Sequence, residues 1–496
     1  MSRKRGLDRR AFLRNAGATA LLGAVGAIFT LSLVLVIERT THFHADDIGH
    51  FLKLGDRSFA DFALTPIDVH LAPLHRACTL LIFEFSRLDF RVGLAVLLAL
   101  HAAAVFLLWK TLRLLGDNPG HAVLIFLYAT NVLLFVPLSW WSSGIHRFPY
   151  ILLSIGCIHL VLRERAAPSA WNLLGAAACF VAALGFYVKA ALIPAYLLGL
   201  EVCLDTASGR RPRARSIAFL AVLSAVGIAY VAATGSVVSD RFTFVHLDWQ
   251  TLVLAEAYGF SVLGAAVLGF AEPGAAAKLA TTVAWLGFLL YTVAKRPSDL
   301  AVWLIGAGLV ALNILAIALS NRTLFGAESI ATQRYYFELM FLVVLFAAPL
   351  LRERPESGLG VRFPPRSTAR TTAQVAGIVL ALGYASLYFA QGAAALREDR
   401  DRAMAKEFMD NLIEGMAQLQ AAPPPDLSFV DGGVPKYVHW VGAFRNQPYS
   451  RFLQLFEIDA TFDDYRSANL YRITDTGKLV RVKTKFRRGR DAERSP

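Results

Sequence analysis

Apolar segments of about 20 residues recur along the whole chain, and this feature constrains the fold more than any other. A helix needs about 20 consecutive apolar residues to cross the ~30 Å hydrocarbon core of a bilayer. An α-helix also satisfies its own backbone hydrogen bonds, which lipid cannot do. Composition agrees, because 56% of the 496 residues are hydrophobic and only 18% are charged. The sequence therefore predicts an α-helical polytopic membrane protein.

The apolar segments predict about eleven transmembrane helices in residues 1–394. A further apolar segment, 251–270, contains Glu256 and would invert the sidedness of the later basic loops if it crossed the membrane. We therefore interpret 251–270 as a re-entrant or surface helix. The predicted spans are residues 15–37, 92–114, 121–138, 148–162, 170–188, 190–204, 216–235, 276–294, 299–319, 336–351 and 372–394.

The distribution of basic residues predicts the orientation of the chain. Lys and Arg beside membrane spans accumulate on the cytoplasmic side. With a cytoplasmic N-terminus, the basic loops at 208–216 and 352–370 both fall inside. Topology thus explains the formal net charge of +13, and no nucleic-acid partner is expected.

Two segments outside the predicted spans are long enough to carry function. The first outer loop, 38–91, is far longer than an ordinary connection between packed helices. Its second half has apolar residues at helical spacing over 71–87, which predicts an amphipathic helix on the membrane surface. Residues 395–496 combine a polar helix at 395–420 with strand-like alternation over 421–496, which predicts a hairpin around 475–477. We therefore expect a small extracytoplasmic α/β domain at the C-terminus.

The first outer loop opens with an acidic pair, Asp46 and Asp47, in the sequence THFHADDIGH. A partly desolvated carboxylate has a raised pKa and can act as a general base toward a hydroxyl group. Carboxylates and imidazoles also bind Mn²⁺ or Zn²⁺, so Asp46, Asp47, His44 and His70 are candidate ligands of a divalent cation, although their spacing matches no specific signature. The alternative is structural, with Asp47 at the N-terminus of a short helix whose dipole favours it.

The layout of these features resembles that of the GT-C superfamily of membrane glycosyltransferases. That superfamily includes oligosaccharyltransferases, protein O-mannosyltransferases and bacterial aminoarabinose transferases. The resemblance lies in the acidic motif after the first span, a two-helix first outer loop, many further spans and a C-terminal extracytoplasmic domain. Short stretches also look like uncharacterised bacterial members, namely HLAPLHR, WWSSGIHRFPY, FYVKAALIPAYL and QRYY. A GT-C-like fold in the bacterial cytoplasmic (inner) membrane is therefore expected.

The resemblance also implies a reaction and its partners. A sugar would pass from a polyprenyl-phosphate donor in the bilayer to a glycan, lipid or protein acceptor outside the cytoplasm, by a single inverting displacement. The family's first-loop acid falls on Asp46 or Asp47; we favour Asp47 as the base. The polyprenyl phosphate leaves already ionised, so the mechanism requires no acid catalyst. No cofactor is implied beyond a possible divalent cation.

A phosphate leaving group needs positive charge, and three basic residues fall at the predicted outer face: Arg147, Lys189 and Arg334. His70 and Tyr335 are further candidates for binding the substrate. Arg334 is the first choice, because guanidinium binds phosphate oxygens in a bidentate fork. The alternative is that Arg334 and Tyr335 only anchor a helix end at the interface. Lys189 lies between apolar segments, where a charge is costly unless paired or hydrated. Family members often have a Lys-Glu pair here, whereas Ala190 follows Lys189 in this chain.

Two other classes of protein remain compatible with the sequence. A transporter or flippase of lipid-linked saccharides predicts related halves and charged residues near the middle of the membrane. A non-enzymatic subunit for cell-envelope assembly would use the outer domain to bind a partner. We find no related halves, and the polar residues gather near one predicted face. The acidic pair with several cations on the same side therefore favours the enzyme.

Overall fold

A computed structural model describes most of the chain at the level of side chains. The described residues are 9–54, 58–66, 71–116, 118, 120–208, 213–237, 249–270, 275–319, 332–351, 368–438 and 447–483.

Helices dominate the described residues, with one small sheet near the C-terminus. The helices are α1 (Arg9–Thr40), α2 (Asp46–Leu54), α3 (Phe59–Leu64), α4 (Pro73–Ser86), α5 (Phe90–Leu115), α6 (Gly120–Ala129), α7 (Phe135–Leu138), α8 (Trp141–Ala166), α9 (Ala170–Phe186), α10 (Ile193–Ser208), α11 (Ala214–Val237), α12 (Trp249–Val267), α13 (Ala275–Lys295), α14 (Leu300–Ala318), α15 (Met340–Leu350), α16 (Thr368–Glu398), α17 (Arg400–Ala421) and α18 (Tyr449–Phe452). The strands are β1 (Leu427–Phe429), β2 (Thr461–Phe462), β3 (Asn469–Ile473) and β4 (Leu479–Arg481).

Within the described part of the chain, eight helical segments are long and apolar enough to cross a membrane. They are Leu21–Thr40, Phe90–Leu115, Gly120–Leu138, Trp141–Ala166, Ala214–Gly235, Trp249–Val267, Leu300–Ala318 and Val379–Glu398. The membrane-embedded helical architecture is thus confirmed, whereas the number of eleven spans stays a prediction. The segment interpreted as a re-entrant or surface helix forms α12, one of these eight, and its relation to the bilayer also stays a prediction.

Large apolar side chains cover the outside of the helices. Leu31 on α1, Phe106 on α5, Ile228 on α11 and Leu304 on α14 are each more than half exposed. Exposure of apolar surface to water costs roughly 25 cal/mol per Å², and soluble proteins rarely expose such large contiguous patches. Lipid is therefore the solvent that suits this surface.

Helix α8 is the central helix of the bundle and packs along α5 on one side and α9 on the other. It begins at Trp141, seven residues before the predicted span. Its first two turns contain polar side chains, but these are buried against neighbouring segments instead of lying in a loop. Gly144 permits this close packing, because an added Cβ would lie 2.4 Å from the Pro137 carbonyl oxygen.

Helix α4, within residues 38–91, buries its polar face against the protein and exposes its apolar face. His75, Arg76 and Thr79 are buried, whereas Leu81 and Phe85 are 53% and 80% exposed. The predicted amphipathic helix is therefore present. Its inverted pattern of burial suits a helix that rests its apolar side on lipid.

The C-terminal domain places α17 against a four-stranded sheet with the order β2-β1-β3-β4. Strand β1 runs parallel to β2 and β3, and β3 pairs with β4 in an antiparallel hairpin. The predicted hairpin is thus confirmed. Gly477 has a φ of 80° in the turn, and a Cβ there would meet the Phe408 backbone oxygen at 2.0 Å. The hairpin therefore packs directly on the backbone of α17.

The C-terminal domain also packs on the first outer loop. The Ala45 N–H donates a hydrogen bond to the Val438 carbonyl oxygen (2.9 Å), and Arg87 forms an ion pair with Glu457. These contacts bring the domain next to the acidic pair.

Candidate functional site

Asp47 lies at the N-terminus of two helices. It stands in the first turn of α2, and its Oδ2 accepts a hydrogen bond from the His44 N–H (3.3 Å). Its Oδ1 accepts the Ser142 N–H (2.7 Å) and the Ser142 hydroxyl at the start of α8. The N-cap residue of α8, Trp140, makes no side-chain cap hydrogen bond. Asp47 therefore supplies a cap for α8 from a distant part of the chain, in a position that the helix dipole favours.

The Asp47 carboxylate is completely buried, whereas Asp46 is half-buried. Burial raises the pKa of Asp47 to about 7, against the opposing effect of the hydrogen bonds from Ser142 and His44. Burial also lowers the pKa of His44 to about 3 and that of His42 to about 4. At neutral pH these imidazoles are uncharged, so neither histidine neutralises the Asp47 carboxylate.

A cluster of buried charges lies on α8 and two short 3-10 segments. Lys189 forms an ion pair with Glu338, and the Arg147 Nε lies 3.6 Å from the other Glu338 carboxylate oxygen. The Arg147 Nη1 also donates to the Ser143 carbonyl and hydroxyl oxygens, both at 2.9 Å. Side-chain exposure is 7% for Lys189, 6% for Arg147 and 1% for Glu338. Two buried cations thus share one carboxylate.

Arg334 lies at the edge of this cluster. Its guanidinium carbon is 4.6 Å from the centroid of the Trp140 ring and 5.1 Å from that of Tyr335. Its backbone oxygen accepts a hydrogen bond from the Arg147 Nε (2.7 Å), which links the two arginines. Among the described residues, no carboxylate forms an ion pair with Arg334. Its Nη2 donates a hydrogen bond to the Tyr335 hydroxyl (3.2 Å), and its charge adds to the positive excess of the cluster.

The first turn of α8 joins the acidic turn to the cations. Trp140 packs against the His44 ring at a centroid distance of 5.9 Å and lies beneath Arg334. Ser142 binds Asp47, and Ser143 binds Arg147. The Trp140 indole N–H is buried and meets no hydrogen-bond acceptor in the described part of the chain. The region around Trp140 therefore has positive charge and an unused donor.

The structure thus brings together most of the residues that the sequence singled out. Asp46, Asp47, Arg147, Lys189, Arg334 and Tyr335 lie in one connected region at one end of α8. His70 lies outside the described residues.

The candidate metal ligands do not form a three-ligand site among the described residues. No group of three or more His, Cys, Asp or Glu side chains there is arranged to hold a metal ion. The His44 Nδ1 lies 2.8 Å from the His42 carbonyl oxygen, and both Asp47 oxygens accept hydrogen bonds from protein donors. Elsewhere, the rings of His75 and His146 stack at 4.0 Å, and His50 meets His75 edge-on at 5.7 Å.

Sequence reasoning missed Glu338, Ser142 and Arg402. Glu338 is the carboxylate that pairs with Lys189, and it lies 149 residues further along the chain. Its signal was a carboxylate inside an apolar predicted span, since intramembrane charges are rare and paired. Ser142 and Arg402 gave no local signal. Arg402 of α17 is buried and donates to the Ser139 hydroxyl and, through Nε, to Asp399 (3.1 Å).

Comparison with protein-family models and with curated protein sequences finds no match to this chain. A functional proposal therefore depends on the layout and on the geometry of this site.

Proposed function

We propose that the protein is a membrane glycosyltransferase that moves a sugar from a polyprenyl-phosphate donor to an extracytoplasmic acceptor by inverting displacement. Its N-terminus would lie in the cytoplasm, and the site at the start of α8 would lie outside. The observation that carries the proposal is the excess of cationic side chains over carboxylates, among the described residues, beside an acidic turn. This combination suits a reaction that releases a phosphate and deprotonates a hydroxyl.

The charge balance supports an anionic ligand. Among the described residues Lys189 and Arg147 share one carboxylate, that of Glu338, and Arg334 adds a third cation that pairs with no carboxylate there. An uncompensated buried charge costs several kcal/mol. A bound phosphate would offset this cost, and the Trp140 N–H could donate to the same ligand. The polyprenyl chain would lie in the lipid against the exposed apolar side chains of the helices.

The acidic turn supplies the second requirement. A general base works best when its pKa is near the pH at which the enzyme operates, and the pKa of Asp47 is raised to about 7 by burial. Asp46 is the more exposed of the two. We therefore assign the base to Asp47 and the orientation of the acceptor hydroxyl to Asp46. Separate assays of the single variants Asp47→Asn and Asp46→Asn distinguish this assignment from the reverse one, in which Asp46 is the base and Asp47 orients the hydroxyl.

Turnover of radiolabelled polyprenyl-phosphate sugars by membranes that contain the protein tests the proposal. Wild type should transfer label to acceptor, and the Asp46→Ala/Asp47→Ala variant should not. Glu84→Gln is the matched control, because Glu84 is an exposed acid of the same loop. Equal transfer by wild type and the double variant would remove the acidic turn from the reaction.

The first alternative is a transporter or flippase of lipid-linked saccharides, which would also need a site for an anionic ligand. The second is a non-enzymatic subunit for cell-envelope assembly. A transporter would bind the donor and carry it across the bilayer without consuming it. Donor binding with no transfer to any acceptor, together with movement of labelled lipid between leaflets, would favour the transporter.

A further inference from the structure

The acidic turn is enclosed by two separate parts of the protein. On one side Ser142 of α8 binds Asp47. On the other side the Ala45 N–H binds the Val438 oxygen of the C-terminal domain. Ala45 has a φ of 53°, a left-handed conformation that is unfavourable for a residue with a Cβ. Such a conformation persists only where surrounding contacts determine it.

Arg402 is the buried side chain that joins the C-terminal domain to this region. It lies in the first turn of α17, and its backbone N–H binds the N-cap residue Asp399 (3.0 Å). Its guanidinium donates to Asp399 and to the hydroxyl of Ser139, the residue before Trp140. The charge of Arg402 is also close enough to interact electrostatically with Asp47 and with His44.

The ion pair that Arg87 of the loop forms with Glu457 of the domain is much more exposed than Arg402. Arg87 and Glu457 have side-chain exposures of 58% and 68%, and exposed pairs contribute little to stability. The side chain of Arg402 is only 10% exposed, and a buried charge-assisted hydrogen bond is stronger than an exposed one. Arg402 therefore contributes more than Arg87 to holding the start of the C-terminal domain on the rest of the protein.

We propose that the C-terminal domain positions the acidic pair, with Arg402 as the positioning residue and the Ala45–Val438 hydrogen bond as its point of contact with the turn. Arg402 holds the start of α17 on Ser139, and α17 carries the domain that contacts Ala45. Loss of Arg402 then lets the domain move away, and the strained Ala45 conformation relaxes. The inference deepens the proposed function and rests on it for any effect on sugar transfer, but its structural consequence does not depend on transfer.

Hydrogen–deuterium exchange of the full-length protein in detergent tests the inference directly. In Arg402→Met, amide exchange in a peptide covering residues 41–54 should accelerate on the order of tenfold or more. Arg400→Met is the matched control, because Arg400 is an exposed basic residue on the same turn of α17. Its exchange over 41–54 should equal that of wild type.

Two further variants keep the test decisive if Arg402→Met does not fold. Ser139→Ala removes the acceptor on the other side of the contact and should accelerate the same peptide several-fold. Ala45→Gly tolerates the left-handed conformation and should keep wild-type protection. Unchanged exchange over 41–54 in Ser139→Ala would overturn the inference, and so would unchanged exchange in a folded Arg402→Met. If the exchange changes as expected but wild type transfers no sugar, the proposed function fails and the positioning role stands.

Discussion

The sharing of one buried carboxylate by two cations predicts an asymmetry between two substitutions. Glu338→Gln removes the one acid that pairs with Lys189 and Arg147 in the described part of the chain. Lys189→Met removes one cation but leaves Arg147 within 3.6 Å of Glu338. For an ordinary pair of one acid and one base, the two substitutions would have similar costs. Here the loss of the acid should cost much more than the loss of the lysine.

The magnitudes follow from the burial of the groups. Removal of one partner of a buried ion pair costs about 3–5 kcal/mol, because the other charge stays buried without compensation. Glu338→Gln leaves two such cations, so the upper end of this range is expected. Lys189→Met keeps the aliphatic volume and leaves a paired Arg147–Glu338, so its cost should be that of a tolerated core substitution, below about 1.5 kcal/mol. The expected difference is at least about 2 kcal/mol.

Thermal unfolding in detergent can measure this difference with a thiol-reactive fluorogenic dye. The four cysteines are free and are buried or half-buried in the folded protein, so they react as the protein unfolds. Addition of polyprenyl phosphate provides a second readout. It should raise the unfolding midpoint of wild type by mass action and have a smaller effect on Lys189→Met, in which the positive excess is reduced. Equal destabilisation by Glu338→Gln and Lys189→Met would refute the argument from excess charge.

Three further predictions follow from the site and the topology. Arg334→Lys keeps the charge but loses the planar fork, so the apparent donor constant should rise roughly 10- to 150-fold with little change in the melting midpoint; unchanged donor kinetics would leave Arg334 as an anchor. Burial raises the pKa of Asp47 to about 7, so between about pH 4 and pH 7 this carboxyl group is protonated in the folded protein and ionised in the unfolded chain. Wild type therefore loses stability as the pH rises from about 4 to 7, by at most about 4 kcal/mol. Asp47→Asn removes this dependence, so melting curves should show the variant gaining stability relative to wild type between about pH 4 and pH 7; parallel curves would exclude a raised pKa. Reporter fusions after Ser208 and Gly477 should report cytoplasm and exterior respectively, and a cytoplasmic signal at Gly477 would contradict the predicted orientation.

The sequence predicted the parts of the fold that depend on local patterns. Apolar length identified the membrane helices, and alternation around a glycine identified the β3–β4 hairpin. Helical spacing over 71–87 identified α4 and its apolar face, although the burial of His75 and Arg76 on the opposite face was not foreseen. These features are encoded within short windows of sequence, so one chain is enough to find them.

The sequence also placed Arg147, Lys189 and Arg334 on one side of the membrane, because each lies at the predicted outer end of a span. Their partners could not be predicted in the same way. Whether Glu338 faces Lys189 depends on the rotation of each helix about its axis, and no local period determines that rotation. The contact between Asp47 and Ser142 likewise depends on how the first loop folds back over α8.

The central claim is that this site transfers a sugar from a polyprenyl phosphate, and reconstitution tests it most directly. The purified protein in liposomes would be given labelled polyprenyl-phosphate sugars and a cell-envelope extract as acceptor. Mass spectrometry would follow both the glycosylated product and the released polyprenyl phosphate. We expect the glycosylated product and the released polyprenyl phosphate to form in equal amounts with wild type and with Glu84→Gln. Neither should form with Asp47→Asn. Two results would contradict this reaction. One is formation of both products at the wild-type rate by each of the single variants Asp47→Asn and Asp46→Asn. The other is intact donor after incubation with wild type.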